Sequence, residues 1–193
     1  CYMTRFWWVR HGPTHQKAFV GWRDVPADLS DTARIARLNA YLPSDAVLVS
    51  SDLIRASATA DVLTQRQRLP DLAALREFNL GDWDGKHFTE VEASHPTLSR
   101  RYWEEPGDHA PPNGESWNAA AARVSTAVNT LLAAHAGRDI IVVAHIGVIL
   151  TQVQTALGVT AYQALSHHID NLSVTCLSHD GARWVAGVIN HNP

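Results

Sequence analysis

Two histidines in this chain stand where short apolar runs end. Arg10-His11-Gly12 follows residues 6–9, and His145-Ile146-Gly147 follows residues 140–144. A third apolar run, residues 46–49, leads through Ser50-Ser51-Asp52 into a stretch that carries Arg55. In an open α/β sheet, ligands bind at the carboxyl ends of the strands, where loops and helix N-termini converge. If the three runs are strands of one sheet, they bring two imidazoles and two guanidiniums to one rim. An imidazole beside arginines has its pKa pushed below the ordinary value of about 6.5, which leaves it neutral and nucleophilic near pH 7. Such a ring could attack phosphorus while the guanidiniums hold the phosphoryl oxygens, work that a metal ion does elsewhere. Phosphate monoester hydrolysis can require accelerations of about 10²¹, or roughly 29 kcal/mol. Charge-assisted hydrogen bonds of about 1.5–3 kcal/mol each must therefore be combined with positioning and a covalent phosphohistidine path. The leaving oxygen also needs a proton. Glu77, Asp82, Asp84 and Glu90 are all candidates for the acid, and spacing alone does not choose among them.

The elements that would position these groups follow from periodicity. Residues 6–9, 46–49, 140–144 and 174–177 are short apolar runs rich in Val, Ile and Trp, which predicts buried strands. Ser30-Asp31 can cap a helix with Ile35, Leu38 and Leu42 on one face, ended by Pro43. A second helix is expected from Asp52 towards Gln65. A third begins near Ser116 and runs through Val124, Val128 and Leu131 to Ala136, with Gly137 as its stop. Strands alternating with amphipathic helices imply a single three-layer α/β/α domain over residues 1–193, with a mainly parallel sheet. His179-Asp180-Gly181 predicts a hairpin between 174–177 and 184–188, so the last strands should pair antiparallel. Residues 95–114 are rich in Pro and Gly with no apolar period, and they read as an excursion over the rim.

Composition narrows the function classes. The 193 residues carry 16 basic and 19 acidic side chains, a formal net charge of −3, which argues against a nucleic-acid partner. Fourteen Arg against two Lys is read as a compositional bias rather than a mark of phosphate recognition. The two cysteines, Cys1 and Cys176, have no CxxC spacing, so neither a disulfide framework nor a thiolate metal site is expected, and a reducing cytoplasm fits best. No apolar run approaches the roughly 20 residues of a membrane span, so no membrane is expected as a partner. Cys1-Tyr2 ahead of Met3 is expected to be an added remnant or part of an upstream start rather than a lipidated terminus. His167-His168 is read as a surface pair, since neighbours in an extended segment point to opposite sides. Asp82-Trp83-Asp84 does not directly follow an apolar strand, as a metal-binding DxD should. Trp22, Trp83, Trp103 and Trp117 are expected to pack in the core, with Trp22 and Trp103 placed near enough to the rim to line a substrate pocket.

At this point the chain resembles a known family. Arg10-His11-Gly12-Pro13-Thr14 is similar to the RHGxT signature of the histidine phosphatase superfamily, the phosphoglycerate mutase-like clan. Ser51 to Ala56 with Thr59-Ala60, Leu75 to Phe78 with Gly81 to Gly85, Gly114-Glu115-Ser116 and Val143-Ala144-His145 match its further motifs in order, over nearly the whole chain. The resemblance implies a phosphoglycerate mutase-like fold, with His11 as the phosphorylated nucleophile and Arg10, Arg55 and His145 as the phosphate pocket. It also selects Glu77 as the acid and later the base, with no metal and no cofactor. Substrate contacts would come from Thr14, from Lys17 near a position where members have Asn, from Trp22, and from Ile146, which replaces a glycine usual after the second histidine. The resemblance implies a metal-independent phosphatase acting on a small phosphorylated metabolite. The alternative within the family is a phosphoglycerate mutase, which must keep water from the phosphohistidine. Only 68 positions separate Glu77 from His145, and mutases usually carry a longer insertion there, so hydrolysis is the expected reaction. Arg100-Arg101 is read as an exposed basic step, although mutases use an arginine pair for an acidic substrate. A homodimer is compatible with the composition, though no element calls for one.

Overall fold

In the computed structural model, residues 3–193 are described; Cys1 and Tyr2, and with them the reading of Cys1, lie outside the described residues. In chain order the elements are β1 (Thr4–Arg10), α1 (Thr32–Tyr41), β2 (Val47–Ser50), α2 (Ile54–Asp61), β3 (Gln67–Arg68), α3 (Phe88–Ser94) and α4 (Pro96–Glu104). They continue as α5 (Trp117–Ala134), β4 (Asp139–Ala144), α6 (Ile146–Leu157), α7 (Ala161–Ala164), β5 (Val174–His179) and β6 (Trp184–Ala186). The six strands form one sheet in the order β3-β2-β4-β1-β5-β6. Contacts β3·β2, β2·β4 and β4·β1 are parallel, and β1·β5 and β5·β6 are antiparallel. The sheet is thus mainly parallel, as predicted.

The two faces of the sheet bury separate cores, because side chains alternate along each strand. Phe6, Trp8, Val47 and Ile140 pack on the face covered by α5 and α6. Val9, Leu48, Ile141 and Val143 pack on the other face, against Ile35 and Leu38 of α1 and Ala56 and Ala60 of α2. Central strands covered on both faces explain why these runs read as continuously apolar rather than alternating. The Asp31 side chain caps α1 by accepting from the Arg34 N–H at 3.1 Å.

Three predicted boundaries move. The helix expected from Asp52 to Gln65 is confined to Ile54–Asp61, and the one through Val124 stops at Ala134, with His135 rather than Gly137 as its cap. The excursion at 95–114 contains a helix, α4, which Pro96 opens at its first turn. Its Tyr102 is buried and meets Trp83 edge-on, ring centroids 5.5 Å apart. Leu98, Tyr102 and Trp103 of α4 turn inward at helical spacing, a short stripe among the Pro and Gly of the excursion.

Candidate active site

Strand register brings the site residues together. Arg10 pairs with Ala144 across β1·β4, so the next residues, His11 and His145, leave the sheet side by side. Ser50 pairs with Val143 across β2·β4, which places Ser51 beside them. The rings of His11 and His145 are 5.2 Å apart, centroid to centroid. His11, Arg55, Glu77 and His145 are all buried, and Arg10 is partly so.

Hydrogen bonds fix the state of the first imidazole. The carbonyl of Gly12 can only accept, so the 2.7 Å contact makes His11 Nδ1 the donor and leaves Nε2 with its lone pair. The Gly12 N–H in turn donates to Thr59 Oγ1 at 3.0 Å, and the Thr59 hydroxyl donates to the Arg55 carbonyl at 2.7 Å. The Asn171 amide donates to the His11 carbonyl at 2.9 Å. Burial pushes the His11 pKa down to about 3, with Arg55 and Arg10 adding to the fall and the Gly12 bond opposing it. Dry surroundings, rather than the neighbouring arginines expected from the sequence, are the larger cause.

The second imidazole has a different partner. Ser51 Oγ lies 2.8 Å from His145 Nε2 and accepts from the Leu53 N–H at 3.1 Å. Its hydroxyl hydrogen is then free for Nε2, an arrangement that puts the ring proton on Nδ1, a buried atom with no partner among the described residues. Burial first, and then His11, Arg55 and Arg10, hold the His145 pKa well below its ordinary value.

Both guanidiniums are clamped by backbone oxygens rather than by carboxylates. Arg55 donates to the carbonyls of Gly21 at 2.7 Å and Arg23 at 3.0 Å, and Arg10 donates to Ile169 at 2.7 Å. Their charges therefore remain uncommitted to a fixed anion, and Arg10 Nε is a buried donor with no partner among the described residues. This is a positive, largely dehydrated recess suited to a dianion.

Of the four candidate acids, geometry separates Glu77 from the rest. Asp82 and Glu90 are exposed, and Asp84 is taken up by Arg23 and the Gly21 N–H. Glu77 is buried and accepts from the N–H groups of Phe78 at 3.0 Å and Gly147 at 3.2 Å. Burial raises its pKa; those two bonds and the charges of Arg55 and Arg10 pull the other way. Three side chains hold its loop. Trp22 Nε1 donates to the Glu77 carbonyl at 2.7 Å, and Arg76 makes a two-pronged ion pair with Asp52 at 2.7 and 2.8 Å. Arg123 donates to the carbonyls of Ala74 and Arg76 at 2.8 and 2.9 Å and to Glu77 at 3.2 Å, while Glu115 grips its other edge. The Gly114-Glu115-Ser116 turn therefore supports the acid's loop and caps α5 through Ser116.

The remaining candidates divide. Ile146 lines a cavity of about 240 Å³ that has Glu77 and Gly147 in its wall, and so does Trp103 from α4. Trp22 is absent from that lining; its indole lies 5.0 Å from the Arg76 guanidinium and is 37% exposed, so it braces the acid's loop. Lys17 is exposed and Thr14 half-buried, with no side-chain hydrogen bond among the described residues. Trp83 and Trp117 are buried, as expected of core residues. Arg123, Asp52 and Thr59 were not singled out as functional from sequence. Arg123 sits two turns into α5 and bonds mainly to carbonyls, which leaves no pattern to read, whereas Thr59 stood within a recognised motif. Among the described residues, no group of three or more His, Cys, Asp or Glu is arranged to hold a metal ion. No helix among them is long and apolar enough to cross a membrane.

Comparison with known proteins identifies the family. The family model described as "Histidine phosphatase superfamily (branch 1)" matches residues 6–192. A bifunctional protein of Mycobacterium tuberculosis, Rv2228c, is 30% identical over 94% of this chain; the chain spans about half (52%) of that relative's length. A glucosyl-3-phosphoglycerate phosphatase of the same species is 32% identical, covering 93% of this chain and 86% of its own. The solved structure of YhfR from Bacillus stearothermophilus superposes with a TM-score of 0.89 at 26% identity, covering 97% of both chains. Paired histidines on adjacent strand ends, an unneutralised arginine pair, a buried glutamate and these matches lead to one conclusion: the chain belongs to the histidine phosphatase superfamily.

Proposed function

We propose that the protein is a metal-independent phosphatase that hydrolyses a small phosphomonoester through a phosphohistidine on His11. The observation that carries this reading is the free Nε2 lone pair of His11, set by the Gly12 carbonyl, on a ring beside His145 and under the charges of Arg55 and Arg10, which no carboxylate pairs with. Arg10, Arg55 and the Nδ1–H of His145 hold the non-bridging oxygens. Nε2 attacks phosphorus, the N–P bond forms and the P–O bond to the leaving group breaks. Glu77, whose pKa burial raises, gives a proton to the departing oxygen. Its carboxylate then takes a proton from water as the water oxygen attacks phosphorus. The N–P bond breaks, inorganic phosphate leaves, and His11 recovers its lone pair.

The test is phosphate release from a panel of phosphomonoesters, run with and without EDTA, with isomerisation of 3-phosphoglycerate assayed alongside. The expected result is release that EDTA leaves unchanged and that His11→Ala abolishes. Restoration by Mg²⁺ of an EDTA-sensitive activity, full activity of His11→Ala, or isomerisation outrunning release would overturn the reading.

A further inference from the structure

The cavity that shares Glu77 with the site has a wall of unusual uniformity. Phe19, Phe78, Trp103, Trp117, Leu150 and Leu165 supply most of it, and Ile146 and Gly147 at the start of α6 complete the side nearest His145. No lysine or arginine lines it, and Glu77 and His109 are the ionisable groups in the wall besides the phenol of Tyr102. That phenol is kept protonated by burial, reinforced by the nearby Glu77 and Glu115. Arg100 and Arg101 do not reach the cavity and are exposed.

Position gives the cavity its meaning. Glu77 is the group that protonates the leaving oxygen, so whatever is attached to that oxygen must extend into the space beside Glu77. A second carboxylate or phosphate placed there would lose part of its hydration with no lysine or arginine to compensate and only the His109 imidazole in the wall, against a desolvation cost of several kcal/mol per ion. A polyhydroxylated sugar would meet few donors and acceptors for its hydroxyls. An apolar group is stabilised instead, and the volume exceeds the roughly 150 Å³ that accepts benzene in an engineered protein cavity. Aromatic walls also suit a ring, since Phe19 and Trp103 lie 5.7 Å apart and Phe78 meets Trp117 edge-on at 5.5 Å.

We infer that the substrate class is the phosphate monoester of an uncharged apolar alcohol, aryl or medium-chain alkyl, with its hydrocarbon part in this cavity. The inference rests on the reading of His11 and Glu77 given above, and it separates this chain from relatives whose names specify a phosphoglycerate derivative.

The experiment compares kcat/KM for 1-naphthyl phosphate and an ethyl-to-octyl phosphate series with 3-phosphoglycerate, glucose 6-phosphate and glycerol phosphate. Binding of naphthylmethylphosphonate and 3-phosphonopropionate to His11→Ala is measured by calorimetry. The expected result is a preference of at least 100-fold for naphthyl phosphate over 3-phosphoglycerate, and a rise of about threefold to fourfold per methylene until the cavity is filled. Leu165→Arg supplies the missing cation and should move the naphthyl-to-glycerate ratio by at least tenfold towards the acid. Trp103→Ala should flatten the chain-length series, and circular dichroism confirms that both variants fold. Equal or better turnover of the charged substrates, or a flat alkyl series in the unaltered protein, overturns the inference. If no ester is hydrolysed but the naphthyl phosphonate still binds at least tenfold more tightly, the substrate class survives and the hydrolase reading fails. If the two phosphonates bind alike, the substrate class fails.

Discussion

In the proposed mechanism Glu77 is an acid in one half-reaction and a base in the other, and its surroundings suit that division. Burial raises the pKa of the carboxyl, and two backbone hydrogen bonds and the charges of Arg55 and Arg10 limit how far it rises. Glu77→Gln should lower kcat/KM for alkyl phosphates by about 10²–10⁴. The same change should cost far less with p-nitrophenyl phosphate, whose leaving group departs without a proton; equal losses on both substrates would remove Glu77 from the acid role. Much of this was legible in the sequence. His11, Arg10, Arg55 and His145 each stand at a strand end or in the first turn beyond one, so type and place together point to the phosphoryl chemistry proposed above. The acid was not legible from spacing: what sets Glu77 apart from Asp82, Asp84 and Glu90 is burial and partner choice, which depend on segments distant in the chain, and only the family resemblance selected it. Arg123 left no sequence signal at all, because its partners are chiefly main-chain oxygens.

At the scale of elements, parallel register does most of the positioning. The step from Arg10–Ala144 to His11–His145 needs no special loop, only two strands that end together. Local devices then finish the geometry. At Gly147 in the first turn of α6, an added Cβ would collide with Glu77 Oε1 and press on the Phe78 ring. Gly147→Ala should therefore displace the acid, and we expect a fall of at least tenfold in kcat/KM for alkyl phosphates with a much smaller change for p-nitrophenyl phosphate. Thr59 of α2 supports the loop after β1, and Thr59→Val leaves the buried Gly12 N–H without an acceptor. Urea unfolding should show a loss of about 1–3 kcal/mol. An unchanged midpoint would mean that the loop is held by other contacts. The central strands were readable because both of their faces are buried. The helix α4 was hidden because it is only nine residues long, its apolar stripe is confined to Leu98, Tyr102 and Trp103, and it is opened by a proline that looked like loop composition.

For the molecule as a whole, collecting neutral imidazoles in a dry interior couples stability to pH. In the unfolded chain His11 and His145 bind protons below about 6.5, whereas in the fold His11 resists protonation until about pH 3 and His145 stays well below its ordinary value. The unfolded state therefore holds more protons, and stability is lost as pH falls from about 6.5. Glu77 works in the opposite sense: its raised pKa favours the folded state at low pH, and that contribution is lost as pH rises through its folded value. With two histidines against one glutamate, the midpoint of thermal unfolding should fall between pH 7 and pH 5. His145→Gln should make that fall shallower; an unchanged slope would show that His145 does not resist protonation in the fold.

The central claim concerns one nitrogen atom. Rapid acid-free quenching during turnover, followed by ³¹P–¹⁵N correlation on histidine-labelled protein, reads which ring atom carries the phosphoryl group. The account predicts a single phosphohistidine, at residue 11 and on Nε2. Phosphate on Nδ1, on residue 145, or on no histidine while turnover proceeds would contradict it.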